Sequence, residues 1–111
     1  DACWTLVNLV RARKAMPPIL HWSDAGVASW YDFAIAIGEL GVANGLLTQA
    51  ASVVPLMTAD YPTPAKRPSY SLLDISTSSR ILGLEAIYWR GALENVLKQL
   101  EANSDVIINL I

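Results

Sequence analysis

The sequence predicts an α+β fold in which about four helices pack on a few short strands. Three segments repeat apolar residues three and four positions apart, the spacing of one helix face, and a fourth is bounded by a serine and a glycine. Between them lie apolar runs of only strand length. A chain of 111 residues suits one domain with a modest core. We expect that domain over residues 1–103, with a C-terminal extension over residues 104–111.

The first helix is predicted over residues 2–14, ahead of the Pro17-Pro18 pair, which a helix does not continue through. Cys3 lies on its apolar stripe, so we expect a buried structural thiol rather than a nucleophile. Residues 19–22 form a short predicted strand. His21 in that run is either a core residue with a hydrogen-bond partner or a group that contacts substrate.

The second helix is predicted to begin at Ser29, because Asp32 three residues later completes a capping-box pattern. Its pattern continues to residue 46 or 47. Glycines inside a helix cost about 1 kcal/mol each relative to alanine, so a packing reason is expected for those in this segment. These glycines are Gly38, Gly41 and Gly45.

Trp30 either packs in the core or offers a stacking surface to a sugar or base.

The next segments are predicted to be extended. Residues 52–57 form a strand in which Pro55 requires an edge position or a bulge. Residues 71–75 are also extended, and Asp74 is placed for loop or capping hydrogen bonds rather than for acid–base chemistry. A short helix over residues 76–82 follows, with Ser76 as its N-cap and Gly83 as its stop.

The last helix is predicted over residues 87–102, where the apolar stripe is clearest. Glu94 and Lys98 form an i, i+4 pair in the favourable order on its outer side. Beyond it, residues 105–111 are rich in β-branched side chains and predict a strand. That strand either adds to an exposed edge of another protomer or folds against its own domain.

Composition excludes several classes of function. A net charge of −2 and a pI near 5.1 do not indicate the positively charged surface that binds nucleic acid. Asp32 and Glu39 interrupt the best candidate for a membrane span. One cysteine and one histidine exclude an internal disulfide framework and argue against a Cys/His metal site. We expect a cytoplasmic protein.

Apolar residues are abundant for so small a chain, at 53% against 16% charged residues. This implies more apolar surface than one small core can bury, and a contiguous apolar patch usually marks an interface. One hypothesis is therefore a free-standing, non-enzymatic domain that self-associates or binds a protein partner through its exposed apolar face.

Residues 61–68 carry three prolines within seven positions, which makes this segment a stiff, irregular rod. Lys66 and Arg67 are adjacent on it. A rigid loop with two neighbouring cations suits an anionic ligand, because an arginine fork binds phosphate oxygens and the prolines reduce the entropy lost on ordering. The alternative interpretation is a solvated connector whose charges only keep it in water.

Two motifs carry a family resemblance. Residues 61–74 read YPTPAKRPSYSLLD, which resembles the YPTPAxRPxxSxLD signature of dTDP-4-dehydrorhamnose reductases, and residues 29–34 read SWYDFA, which resembles their SWYxFA motif. The motifs occur in the family's order and spacing, and the similarity runs from about residue 19 to about residue 100. Members are extended short-chain dehydrogenases with an N-terminal Rossmann domain for NAD(P)H and a smaller C-terminal domain that closes over the nucleotide sugar.

The chain resembles only the second of those domains. It has no G-x-G-x-x-G fingerprint, and none of its tyrosines begins the family's catalytic Tyr-x-x-x-Lys. No catalytic or cofactor-binding residue is therefore expected here, and NAD(P)H belongs to the complete family enzyme. Some members bind Mg²⁺ at a dimer interface through a carboxylate near the end of the last helix. Gln99 stands near that position, with Glu101 two residues beyond, so no metal site is expected.

The resemblance implies a nucleotide-sugar recognition domain that serves dTDP-L-rhamnose biosynthesis and is not catalytic alone. Arg67 and Lys66 would meet the diphosphate of the dTDP-sugar, while Tyr61, Trp30 and Ser71 would shape the pocket. The implied protein partner is a Rossmann domain or a second copy of the chain.

Overall fold

Four α-helices form two packed pairs in the computed structural model, which describes the backbone of residues 2–110 and the side chains of residues 2–103. Helix α1 (Ala2–Arg11) packs against α3 (Ser76–Leu82), and α2 (Trp30–Ala43) packs against α4 (Trp89–Leu110). A single 3₁₀ turn, Thr58–Asp60, lies in the long connection between α2 and α3. The described chain is thus helical, with extensive irregular connections.

The expected α+β class is wrong. No strand forms within residues 2–110, and the extended pairing there is one isolated parallel bridge between Ala25 and Tyr88. The strands predicted over residues 19–22, 52–57 and 71–75 are irregular chain. A strand requires a neighbour to complete its ladder, and Pro55 offers no N–H to one. A short apolar run does not determine whether a second strand lies beside it to form the ladder.

The C-terminal segment is also helical where a strand was expected. Helix α4 continues through Leu110, so the strand prediction is wrong over residues 105–110, and Ile111 lies outside the described residues. Once a helix has formed, each further residue adds one hydrogen bond without a new nucleus, which outweighs the weak β preference of branched side chains. The division of the chain at residue 103 stays a prediction.

The start of α2 has the predicted capping box. The Ser29 hydroxyl oxygen accepts a hydrogen bond from the backbone N–H of Asp32 at 3.1 Å, and the Asp32 carboxylate accepts one from the backbone N–H of Ser29 at 2.9 Å. These bonds satisfy donors that the first turn leaves without helical partners. The carboxylate also lies at the positive end of the helix dipole.

Helix α2 ends at Ala43, earlier than predicted, in a Schellman motif. The N–H of Leu46 donates to the carbonyl of Gly41 at 2.9 Å, and Gly45, at φ +77°, donates to the carbonyl of Val42 at 3.1 Å. Gly41 is buried, and a β-carbon there would lie 2.8 Å from Leu47. The expected packing reason for glycine in this helix is therefore confirmed at that position.

Helix α3 is capped differently from the prediction. Its N-cap is Ile75, without a side-chain capping bond, while Ser76 lies inside the first turn. The Asp74 carboxylate supplies the missing acceptor, receiving hydrogen bonds from the backbone N–H of Ser76 at 2.9 Å and from its hydroxyl at 2.7 Å. The loop role expected for Asp74 is thus confirmed, and the N-cap role of Ser76 is wrong. Gly83 ends the helix at φ +64°, as predicted.

Helix α1 ends with the same hydrogen-bond pattern, but without a glycine. Arg13 has φ +57° and its N–H donates to the carbonyl of Val10, while Lys14 donates to the carbonyl of Leu9. The left-handed conformation costs an L-residue roughly 1–2 kcal/mol. Cys3 on this helix is exposed, so the expected burial of its thiol is wrong.

The core is sparse for the size of the chain. Among the side chains that the structure describes, the buried apolar ones are Ala36, Leu82 and Leu97, and the buried polar one is Ser78. The accessible surface is 9211 Å², whereas a folded monomer of 12.1 kDa exposes about 6,000 Å². The radius of gyration of 18.3 Å likewise exceeds the roughly 13 Å of a compact domain of this length. Much apolar surface is therefore uncovered.

Replacing Arg13 by glycine should raise the free energy of unfolding by about 1 kcal/mol, because glycine adopts φ +57° without a steric cost. Urea denaturation monitored by circular dichroism measures the change. Arg13→Ala is the matched control, since it removes the same charge and keeps the left-handed cost. An equal gain in both variants would attribute the effect to charge instead.

The stability of α2 should depend on acid pH. The hydrogen bond from the Ser29 backbone, followed by that from its hydroxyl, lowers the pKa of Asp32 below its ordinary 3.8. The stabilisation from a lowered carboxyl pKa is present above the unfolded pKa and is lost as pH falls through the folded one. The stability difference between wild type and Asp32→Asn, measured by urea denaturation, should therefore be larger at about pH 6 than at about pH 2.5. A pH-independent difference would contradict this origin.

Candidate functional site

A cavity of about 310 Å³ lies between the loop before α2, the first turns of α2 and α4, and the segment that follows the proline-rich loop. Phe33 and Trp89 supply aromatic walls, and Leu72 and Leu73 supply aliphatic ones. Ser71 and residues of the loop before α2, including Asp24 and Gly26, line the remainder. The cavity thus joins both sequence motifs, which lie far apart along the chain.

The two aromatic rings in the cavity wall belong to a continuous row of four rings. Phe33 and Trp89 have ring centroids 6.2 Å apart, and Trp30 meets Phe33 edge to face at 6.0 Å. Tyr88 continues the row, 5.8 Å from Trp89. Edge-to-face and tilted pairs at these distances are favourable, because the positive ring edge meets the negative ring face. The buried indole Nε1 of Trp89 has no hydrogen-bond acceptor in the part of the chain that the structure describes.

The loop before α2 is held in place by the isolated bridge. The N–H of Ala25 donates to the carbonyl of Ile87 at 2.8 Å, and the N–H of Trp89 donates to the carbonyl of Ala25 at 3.0 Å. Gly26 follows at φ +95°, and a β-carbon there would lie 2.6 Å from the Tyr88 ring. Only glycine permits both this backbone conformation and this approach. The bridge therefore holds two residues that line the cavity, Gly26 and Trp89, close together.

A second groove, of about 450 Å³, lies on the other side of Trp89. Tyr31 and Tyr88 contribute to it, and the Arg90 guanidinium binds the Glu39 carboxylate at 2.6 Å across α2 and α4. Both charged side chains are partly exposed, so the ion pair is screened and contributes at most about 1 kcal/mol. The predicted pair of Glu94 and Lys98 is also present, at 3.4 Å.

The five residues assigned to the site from sequence occupy different places. Ser71 lines the cavity, and Trp30 begins α2 with 87% of its surface exposed, so it is not a core residue. Tyr61, Lys66 and Arg67 are exposed on the proline-rich loop and line neither cavity nor groove. Their assigned roles stay predictions. His21 is exposed as well, so its expected place in the core is wrong.

Sequence reasoning did not assign the residues that form most of the cavity. Phe33 and Leu72 stand inside the two recognised motifs, so the motifs themselves were the signal for them. The helical stripe of the last helix indicates Trp89 only as a packing residue. Asp24 had no sequence signal, because it reaches the cavity through the turn that Gly26 and the bridge create.

The described residues do not form a dinucleotide site. Residues 2–110 contain no parallel sheet and no glycine-rich turn from a strand into a helix, which NAD(P)H binding of the Rossmann type requires. Within the same residues, no group of three or more His, Cys, Asp or Glu side chains could hold a metal ion. No described helix is long and apolar enough to cross a membrane.

Comparison with known proteins identifies a family. The family model described as RmlD substrate binding domain matches residues 1–102. A dTDP-4-dehydrorhamnose reductase from Aggregatibacter actinomycetemcomitans is 42% identical over 78 residues, which cover 70% of this chain and 26% of that protein. No solved structure matches the chain.

Two further relatives agree with this. The spore coat polysaccharide biosynthesis protein SpsK of Bacillus subtilis (strain 168) is 36% identical over 80% of this chain and 29% of its own length. A dTDP-4-dehydrorhamnose reductase from Burkholderia thailandensis is 36% identical over 68% of the chain and 26% of its own length. The chain therefore spans about a quarter of the length of the curated relatives that it matches.

Gly26→Ala should lower the free energy of unfolding by about 2 kcal/mol, because the added methyl group meets the Tyr88 ring and strains the left-handed backbone. Urea denaturation measures the loss. Gly91→Ala is the control: its β-carbon would have ordinary contact at 3.9 Å from Ile87, and alanine favours the helix there. Equal stability of the Gly26 variant and wild type would show that the bridge region does not depend on this close approach.

Proposed function

The chain belongs to the RmlD substrate binding domain family, and on that premise we propose that it recognises the nucleotide sugar dTDP-4-dehydrorhamnose. It would do so as the substrate domain of a dTDP-4-dehydrorhamnose reductase-like protein in dTDP-L-rhamnose biosynthesis. The observation that carries the proposal is the family match over residues 1–102, together with relatives named for that reductase activity. A cytoplasmic location stays a prediction.

The proline-rich loop supports this proposal by its chemistry. Lys66 and Arg67 are exposed, and neither has an ion-pair partner among the described residues. Two adjacent cations that no carboxylate neutralises can meet both phosphates of a diphosphate, with bidentate bonds from the guanidinium. The three prolines limit the entropy lost when the loop orders on a ligand.

Reduction itself would require a second domain. The hydride donor of the proposed reaction is NAD(P)H, and residues 2–110 offer no dinucleotide fold for it. We therefore propose that a dinucleotide-binding domain covers part of the apolar surface of this chain. The accessible surface exceeds that of a compact monomer of this mass by about 3,000 Å², whereas a standard interface requires about 800 Å² per partner.

The same surface favours a second candidate function, a non-enzymatic domain that self-associates. Trp4, Val7 and Val10 are exposed on α1, where a second copy could equally pack. Under this alternative the loop cations have no ligand. Nucleotide-sugar binding discriminates between the two candidates.

The purified chain should bind dTDP and dTDP-L-rhamnose saturably, as measured by NMR chemical shifts or intrinsic tryptophan fluorescence. We expect dissociation constants of the order of 1 mM, or about 4 kcal/mol of binding free energy, because cleft ligands usually draw contacts from both walls. Arg67→Ala should weaken both ligands roughly tenfold, the effect of losing one charge-assisted bond.

Arg80→Ala is the matched control, since it removes the same charge from α3 outside the loop. It should leave both affinities unchanged. Absence of any response at several millimolar ligand, combined with concentration-dependent self-association in sedimentation, would reject substrate recognition in favour of the self-associating domain.

A further inference from the structure

Helix α1 carries an apolar stripe on the side that faces away from the domain. Trp4, Val7 and Val10 are 66%, 42% and 57% exposed, and we call them the outer stripe. Leu6 and Leu9, on the other side of the helix, are only partly exposed. Helix α1 packs on α3, so one side attaches it to the domain while the outer stripe remains open to a further partner.

The same helix ends in positive charge. Arg11 lies in its last turn, and Arg13 and Lys14 belong to the turn that ends it. All three side chains of this basic cluster are exposed, and none has an ion-pair partner among the described residues. Residues 2–23 contain these three cations and no aspartate or glutamate, although the chain as a whole has a net charge of −2. Positive charge is therefore concentrated at α1.

The outer stripe and the basic cluster share one side of the helix. Val7 follows Trp4 by three residues and Arg11 follows Val7 by four, which is the spacing of one helix face. Arginine and lysine lay their apolar stems along such a face and extend the charged group beyond it. A partner that covers the outer stripe therefore also meets the cations.

An anionic lipid surface matches both features. Tryptophan and other apolar side chains of an amphipathic helix enter the headgroup layer, and anionic headgroups attract lysine and arginine. A second copy of the chain fits less well, because pairing the two outer stripes adds the same three cations and no carboxylate from α1. Charge complementarity thus favours lipid over self-association at this face.

This face is separate from the candidate site. No residue of α1 lines the cavity or the groove. The accessible surface exceeds that of a compact monomer by about 3,000 Å², and one standard partner covers about 800 Å² of it. A dinucleotide-binding domain and a second contact can therefore both find room on the chain.

We propose that α1 attaches the protein to the surface of an anionic membrane, with the outer stripe in the headgroup layer and the basic cluster against lipid phosphates. Its 10 residues span about 15 Å, half of the roughly 30 Å hydrocarbon core, so the helix lies on the bilayer and does not cross it. The proposal does not depend on nucleotide-sugar recognition.

Co-sedimentation of the whole chain with lipid vesicles tests the proposal. The chain should pellet with vesicles of phosphatidylcholine and phosphatidylglycerol, and it should stay in solution with vesicles of phosphatidylcholine alone. Trp4→Ala should weaken vesicle binding about tenfold through lost apolar contact. The double variant Arg11→Gln with Lys14→Gln should weaken it by about the same factor through lost attraction to the headgroups. These side chains are exposed, so circular dichroism should show an unchanged fold.

Matched controls remove the same chemistry elsewhere. Trp30→Ala replaces a tryptophan that is 87% exposed on α2, and Lys66→Gln with Arg67→Gln removes two adjacent cations from the proline-rich loop. Neither should change vesicle binding.

Three results would overturn the membrane contact: no pelleting, equal pelleting with both kinds of vesicle, or the same loss in the controls as in the α1 variants. Self-association that Trp4→Ala abolishes, in a chain that ignores vesicles, would assign the outer stripe to a second copy instead. Titration with dTDP in the absence of lipid tests the proposed function independently of these results.

Discussion

Two backbone hydrogen bonds determine the geometry on which the candidate site depends: they join Ala25 to Ile87, just before α4, and to Trp89, the first residue of α4. They join the loop before α2 to residues near the other end of the chain, so Asp24 and Trp89 face the same cavity. The packing of α2 on α4 supports this arrangement, and each of these helices contributes one buried apolar residue, Ala36 and Leu97. The exposed pair of Glu39 and Arg90 adds little, because water screens it.

Sequence reasoning succeeded where the relevant partner lies within a few residues. Ser29 and Asp32 form their capping box, Gly83 ends its helix, and Glu94 pairs with Lys98. Each of these interactions depends on a spacing that the helix itself imposes, so a single sequence contains the necessary information. The family resemblance likewise rested on two contiguous motifs, and the match over residues 1–102 confirms it.

The strands and the burial expected from the sequence are wrong where they depend on contacts with residues far away along the chain. The runs at residues 19–22, 52–57 and 71–75 are apolar enough for strands, but no neighbouring chain completes a ladder for them within the described residues. The expected burial of Cys3 and His21 is wrong for a related reason. An apolar stripe indicates which face of a segment can be buried, but another segment must pack on that face to bury it. Asp24 enters the cavity through a turn that only the folded chain reveals.

The order of the helices along the chain has a consequence for its integrity. Because α1 packs on α3 and α2 packs on α4, the two pairs interleave, and the proline-rich loop of residues 61–68 separates α1 and α2 from α3 and α4. Cleavage of that loop would leave each packed pair with one helix from either fragment. The two fragments would then have complementary surfaces, and their reassociation would restore both pairs without a covalent link. The chain is in this respect a natural candidate for a split protein.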